Sequence, residues 1–359
     1  MLSENNQTFL SLVRLGIGHT SDFTNKDIKW NEIEELAAEQ GLTAVVLDGI
    51  DRIPEGLRPP QMVMLQWIGE VLQNYESIYV DYENAIGKLA GFYYSYGLKM
   101  MVLKGYGLGL NYPNPKHRPC GDIDTWNFGK QKEADAVLSK EKGIEIDNSH
   151  RHHTIFEWEG YVVENHYDLM TVDANRTNMI LEPILKQCAM DDSKYVEIGC
   201  EKVFLPSSNF NALFLLRHML MHFVGSKMNI RQLIDWGFFW EKHRDEVDDK
   251  WLSDLLEKHH MAAFFNIING ICVDELGFQS TVFPSVQYIP EIKDCVLKEI
   301  MQPEFDWLKA HDNNVFKRVL FKYRRWKGGA WKRDLCCGEG PIESFVWNVR
   351  SHLLKPASI

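Results

Sequence analysis

Apolar residues first recur at helical spacing. Trp30, Ile33, Leu36 and Ala37 fall three or four positions apart, and Gly41 follows as a C-terminal stop. Pro59 and Pro60 open a second amphipathic stretch, residues 62–96, closed by Gly97. The period then changes. Residues 100–103, MMVL, read as a short buried strand, followed by a loop carrying Gly105, Gly107, Gly109, Pro113 and Pro115 and a second short strand around Ile123. Ala134, Val137 and Leu138 mark a helix. Alternating runs over His153–Trp158 and 161–168 meet at Glu159-Gly160, which predicts a hairpin. Residues 202–205 read as another strand, stopped by Pro206. Beyond Ser208 the helical period returns, with Phe210, Leu213, Phe214, Arg217, His218 and Met221, then Leu233, Trp236 and Phe239. The pattern predicts an α+β chain in which an α/β core, residues 98–206, is flanked by helical regions over 1–97 and 207–359.

Composition narrows the function classes. The 359 residues are 45% hydrophobic and 25% charged, as in an ordinary globular protein. A net charge of −11 argues against coating by nucleic acid, which needs a basic surface. Seven cysteines are scattered and never spaced C-x-x-C, a reduced pattern with neither a disulfide framework nor a zinc motif. The first residues lack a basic segment followed by a long apolar one, and no run approaches the roughly 18 apolar residues of a membrane span. The expected location is the cytoplasm.

The candidate chemistry lies between residues 103 and 168. Asp122 and Asp124 are separated by Ile123, and on a strand both carboxylates then point to one face, about 7 Å apart. Two such acids repel unless a cation sits between them, and Mg2+ or Mn2+ with oxygen ligands suits that position. Upstream, Gly105 would let backbone N–H groups approach a triphosphate, and Lys104 and Arg118 add charge for phosphate. On the strand of residues 161–168, Glu164 and His166 share a face. Glu164 is the natural third catalytic carboxylate beside Asp122 and Asp124, completing the metal site or deprotonating the acceptor, and His166 a residue to orient phosphate or acceptor. His218 and His222, four apart on a helix, read as packing residues, and His150, His152 and His153 as a polar loop. Residues 317–333 hold eight basic residues among Phe321, Tyr323, Trp326 and Trp331. In an acidic chain this predicts internal pairing, with nucleic-acid binding a less favoured role.

These residues resemble the nucleotidyltransferase superfamily that includes DNA polymerase beta and the aminoglycoside nucleotidyltransferases. The segments Leu103-Lys104-Gly105, Tyr112-Pro113, Arg118, Gly121-Asp122-Ile123-Asp124 and Glu164-Asn165-His166 look most like the bacterial family of uncharacterised nucleotidyltransferases. His218, His222, Arg231 and Asp235 would correspond to a further His-rich helix and an R-x-x-x-D pair of that family. Two departures stand out: Tyr106 where the superfamily often has Ser or Gly, and a longer loop between Gly105 and Asp122. The resemblance implies a minimal nucleotidyltransferase mixed sheet, an NTP substrate, a divalent metal, release of pyrophosphate and an unidentified small-molecule or protein acceptor. The competing class is a non-catalytic nucleotide-binding or antitoxin-like interaction protein. Retention of all three acids argues against it.

Overall fold

The computed structural model describes residues 2–20, 23, 27–191, 194–225, 227–305, 315–337 and 346–347. The chain divides into two units, residues 1–69 with 215–341, and residues 70–214 with 342–359. Among the described residues no helix is long and apolar enough to cross a membrane.

The first unit is helical. Its longer elements include Glu4–Gly16, Trp30–Gln40, Thr43–Ile50, Ile230–His243, Ala262–Asp274 and Pro290–Met301. Helix Ile230–His243 starts at a capping box in which Asn229 and Gln232 satisfy each other's backbone N–H groups, and it buries Trp236, Phe239 and Trp240. His218 and His222 are neighbours on one helix, with their Nε2 atoms 3.2 Å apart. The basic stretch lies in helices Val315–Gly328 and Ala330–Cys337. Internal pairing occurs there: Lys332 Nζ is 2.5 Å from Glu299 Oε1, and Arg333 Nη2 donates to the carbonyl of Trp326 at 2.7 Å.

The second unit holds a six-stranded mixed sheet with β1 Met101–Val102, β2 Ile123–Trp126, β3 His153–Trp158, β4 Tyr161–His166, β5 Lys194–Ile198 and β6 Glu201–Leu205. The spatial order is β3-β4-β2-β1-β6-β5. β4 runs parallel to β2 and antiparallel to β3; β1 is antiparallel to β2 and parallel to β6. The β3–β4 turn forms where Glu159 and Gly160 both adopt positive φ, 51° and 85°, the twist that a two-residue hairpin requires. β5 has no counterpart in the sequence reading. Its residues are mostly exposed, so alternation is weak there.

Each strand has two chemically different faces. Ile123, Phe156, Trp158 and Val163 are buried with Tyr82, Ile86, Leu89 and Tyr93 of helix Ser77–Ser95 and Leu138 of helix Gln131–Lys142. The same face carries a buried polar network. Asp135 accepts from Asn165 Nδ2 at 2.8 Å, from Thr154 Oγ1 at 2.9 Å and from Gln131 Nε2, and Thr125 Oγ1 reaches Asn165 Oδ1 at 3.5 Å. One helix thereby holds β3 and β4 through direct bonds and β2 through Thr125. With the register fixed on this side, the opposite face must align Asp124 with Glu164 and His153 with His166.

Replacing Asn165 by Ala removes a donor from a buried carboxylate. It should lower the unfolding free energy by about 1–3 kcal/mol in urea titration. Val162→Thr, at an exposed position of the same strand, should change it by no more than about 0.5 kcal/mol.

Candidate functional site

Lys104, Asp124, Glu164 and His166 converge on the sheet face opposite the Asp135 network. Asp124 and Glu164 are direct partners on the parallel strands β2 and β4. Asp124 Oδ1 receives Lys104 Nζ at 2.9 Å and His166 Nε2 at 3.0 Å. Glu164 Oε2 lies 3.6 Å from His166 Nε2 and 3.5 Å from His153 Nδ1. Ligand atoms of Asp124, Glu164 and His166 all fall within 4.8 Å of one another.

Burial makes these charges interdependent. Asp124 is 5% exposed, which by itself disfavours its anion, but the charges and hydrogen bonds of Lys104 and His166 more than offset this and hold its pKa far below the usual carboxylate range. Burial likewise opposes the charge on His166, yet hydrogen bonds to Asp124 and Glu164 win and lift its pKa to about 9. Lys104 stays cationic for the same reason: Asp124 outweighs its desolvation. For Glu164, the hydrogen bond to His166 overcomes burial and lowers the pKa. Asp122 behaves differently. It is exposed and lies one residue before β2, but removal of water from its carboxyl, together with the charges of Asp124 and Glu164, raises its pKa. A carboxylate in that position is poised to gain from an added cation.

The supports of this cluster come from outside the motif. Tyr82, on helix Ser77–Ser95, donates its buried hydroxyl to the carbonyl of Asp122 at 2.9 Å. Gly105 begins the short helix Gly105–Gly109 with φ at 40°, and a Cβ there would lie 2.7 Å from the Tyr82 hydroxyl oxygen. Glycine is required on both counts. Beyond β4, Glu182 accepts from the N–H groups of Leu169 and Met170 at 2.8 and 2.9 Å, and Lys186 bonds Asp168 Oδ1 at 2.7 Å. That loop turns the Asp168 carbonyl toward His166 Nδ1 at 3.1 Å, which orients the ring. Arg118 is buried, donates to the carbonyl of Pro119 at 3.3 Å, and acts through its charge on Tyr82 and Cys120.

Histidines expected in a polar loop belong to the cluster. His153 opens β3 and is buried opposite His166, while His152 immediately precedes it and is partly buried. Burial drives the pKa of His152 down to about 2 and that of His153 down to about 4. The signal was present in the sequence: a hairpin closing at Glu159-Gly160 pairs Trp158 with Tyr161 and, five steps along, His153 with His166.

The donor set fits a divalent cation. Ligand atoms of Asp124, Glu164 and His166 are gathered, and Asp122 lies near enough to feel the charges of Asp124 and Glu164. The positive charge of Lys104 is directed at Asp124, while that of His166 is shared between Asp124 and Glu164. Asp122, Asp124 and Glu164 offer the hard oxygen atoms that Mg2+ or Mn2+ takes. Gly105→Ala should displace the Tyr82 hydroxyl and force an L residue into left-handed backbone, costing about 1–2 kcal/mol in urea unfolding. Tyr82→Phe, which removes only the hydrogen bond, should cost about 1 kcal/mol.

A family model described as "Uncharacterised nucleotidyltransferase" matches residues 26–275. The chain matches no curated protein and no solved structure. The match spans well over half of the chain and takes in the whole stretch from Lys104 to His166, so this chain belongs to the uncharacterised nucleotidyltransferase family.

Proposed function

We propose that the chain transfers a nucleotidyl group from a nucleoside triphosphate to a hydroxyl-bearing acceptor. The observation that carries this reading is the meeting of Asp124, Glu164, Lys104 and His166 on one sheet face, beside the exposed Asp122. Asp122, Asp124 and Glu164 would hold Mg2+ or Mn2+. The ion, when bound, supplies Lewis-acid neutralisation of charge on the phosphates.

The remaining work belongs to side chains and backbone. Lys104, already cationic and partly exposed, takes a phosphate oxygen, and the side-chain-free Gly105 lets backbone approach the triphosphate. Arg118, being buried, contributes fixed positive charge from beneath the loop. His166 keeps Asp124 oriented and ionised. The acceptor oxygen attacks the α-phosphorus in line, the bond to the bridging oxygen breaks, and pyrophosphate leaves with the bonding electrons. Glu164 either completes the metal site or takes the acceptor's proton.

One observation favours a second reading. Lys104 Nζ sits 2.9 Å from Asp124 Oδ1, a place a cation would compete for, and a protein in which that pair persisted with nucleotide bound would be a non-catalytic nucleotide binder.

NTPs labelled at the α-phosphate, offered with Mg2+ or Mn2+ and candidate acceptors, separate the two. Wild type should release pyrophosphate and transfer label. Asp122→Asn combined with Asp124→Asn should reduce transfer at least about a hundredfold, the scale of losing a preorganised charge contact. Equal pyrophosphate release by both proteins would refute the catalytic reading, and binding without release would favour the second.

A further inference from the structure

The histidines beside the carboxylates pose a separate problem of satisfaction. His153 is 6% exposed, and neither ring nitrogen has a hydrogen-bond partner; its nearest charged neighbour is Glu164 at 3.5 Å. A buried imidazole left in that state is costly, and native proteins rarely tolerate it without a reason. It is also not alone. Ring centroids of His152 and His153 are 4.3 Å apart, those of His153 and His166 5.2 Å, and those of His152 and His166 5.3 Å. A ligand nitrogen from each of the three falls within 4.8 Å of the other two.

Two of these rings are held at Nδ1, and His166 also donates Nε2 to Asp124 at 3.0 Å, a bond that metal ligation would replace. His166 Nδ1 faces the carbonyl of Asp168 at 3.1 Å, and His152 Nδ1 faces Thr171 Oγ1 at 3.5 Å. Engagement of one ring nitrogen by a backbone or hydroxyl oxygen is how proteins orient imidazoles that bind a metal through the other. A cation placed among the three rings would engage one of the two orphaned nitrogens of His153.

We propose that His152, His153 and His166, with Glu164 as an oxygen ligand, form a site for a divalent transition-metal ion of the zinc class, next to the Asp122 and Asp124 carboxylates. Imidazole-rich donors select Zn2+ or its analogues over Mg2+, which prefers oxygen. The inference does not rest on nucleotide transfer, because the ligands other than His166 and Glu164 take no part in the reaction proposed above.

The test uses the full chain, free of any polyhistidine tag and stripped of metal, titrated with Co2+ in excess Mg2+. Visible d–d absorption reports a nitrogen-containing site. One Co2+ per chain should give bands that Zn2+ abolishes and Mg2+ does not. His152→Gln combined with His153→Gln should weaken Co2+ binding at least about tenfold, since losing ligands costs no less than losing the groups that orient them. His152→Gln alone, at a partly buried position, serves if the double variant fails to fold. Asp122→Asn should leave the bands in place while suppressing label transfer, so failure of one reading is distinguishable from failure of the other. Absence of Co2+ bands in the wild type, or unchanged affinity in the histidine variants, would overturn the proposal.

Discussion

The register of three strands is the constraint on which the site depends. β4 lies between β2 and β3, and a shift of one residue would send Glu164 and His166 to the helix-covered face. Asp135 prevents that shift by holding Asn165 and Thr154 on the covered side. The chemistry on the open face is thus secured by polar bonds on the closed one. A purely apolar interface would bury area but distinguish registers less sharply, because an unmatched amide or hydroxyl in the core carries its full desolvation cost.

On the open face, Asp124 is the electrostatic centre. It is buried and yet ionised because Lys104 and His166 both reach the same oxygen atom. Those two cations in turn stay charged despite burial because Asp124 is there. Asp122, one residue outside the strand and tied by its carbonyl to Tyr82, is left with unfavourable like charges nearby. Such a cluster is balanced at its centre and short of positive charge at its rim, the state in which binding a cation with its attached phosphates relieves repulsion.

Much of this was legible in the sequence, and the exceptions share a cause. The D-x-D pair, the E-x-H strand and the Glu159-Gly160 hairpin rest on local periodicity; the hairpin and the strand with Glu164 and His166 formed where it placed them, whereas β2 begins at Ile123 and takes in Asp124 but not Asp122. The parallel pairing of β2 with β4 joins residues about forty apart in sequence, and no local pattern encodes it. Its determinant, Asp135, sits on a helix among ordinary polar residues. Tyr82 and Glu182 were unreadable for the same reason, since each acts on a backbone group distant in sequence. His153 was misjudged although the hairpin arithmetic assigned it a partner. The run of three histidines in residues 150–153 looks polar, and burial had to be known before its chemistry was visible.

The central claim is that Asp122, Asp124 and Glu164 act together as the cation-binding edge of a nucleotide site. The most direct measurement is anomalous diffraction from crystals grown with Mn2+ and a non-hydrolysable NTP analogue. The account predicts an Mn2+ peak bonded to carboxylate oxygens of Asp122 and Asp124, with Glu164 beside it and Lys104 turned from Asp124 to phosphate. Nucleotide bound elsewhere, or bound here with the Lys104–Asp124 pair intact and no Mn2+ at these acids, would contradict it.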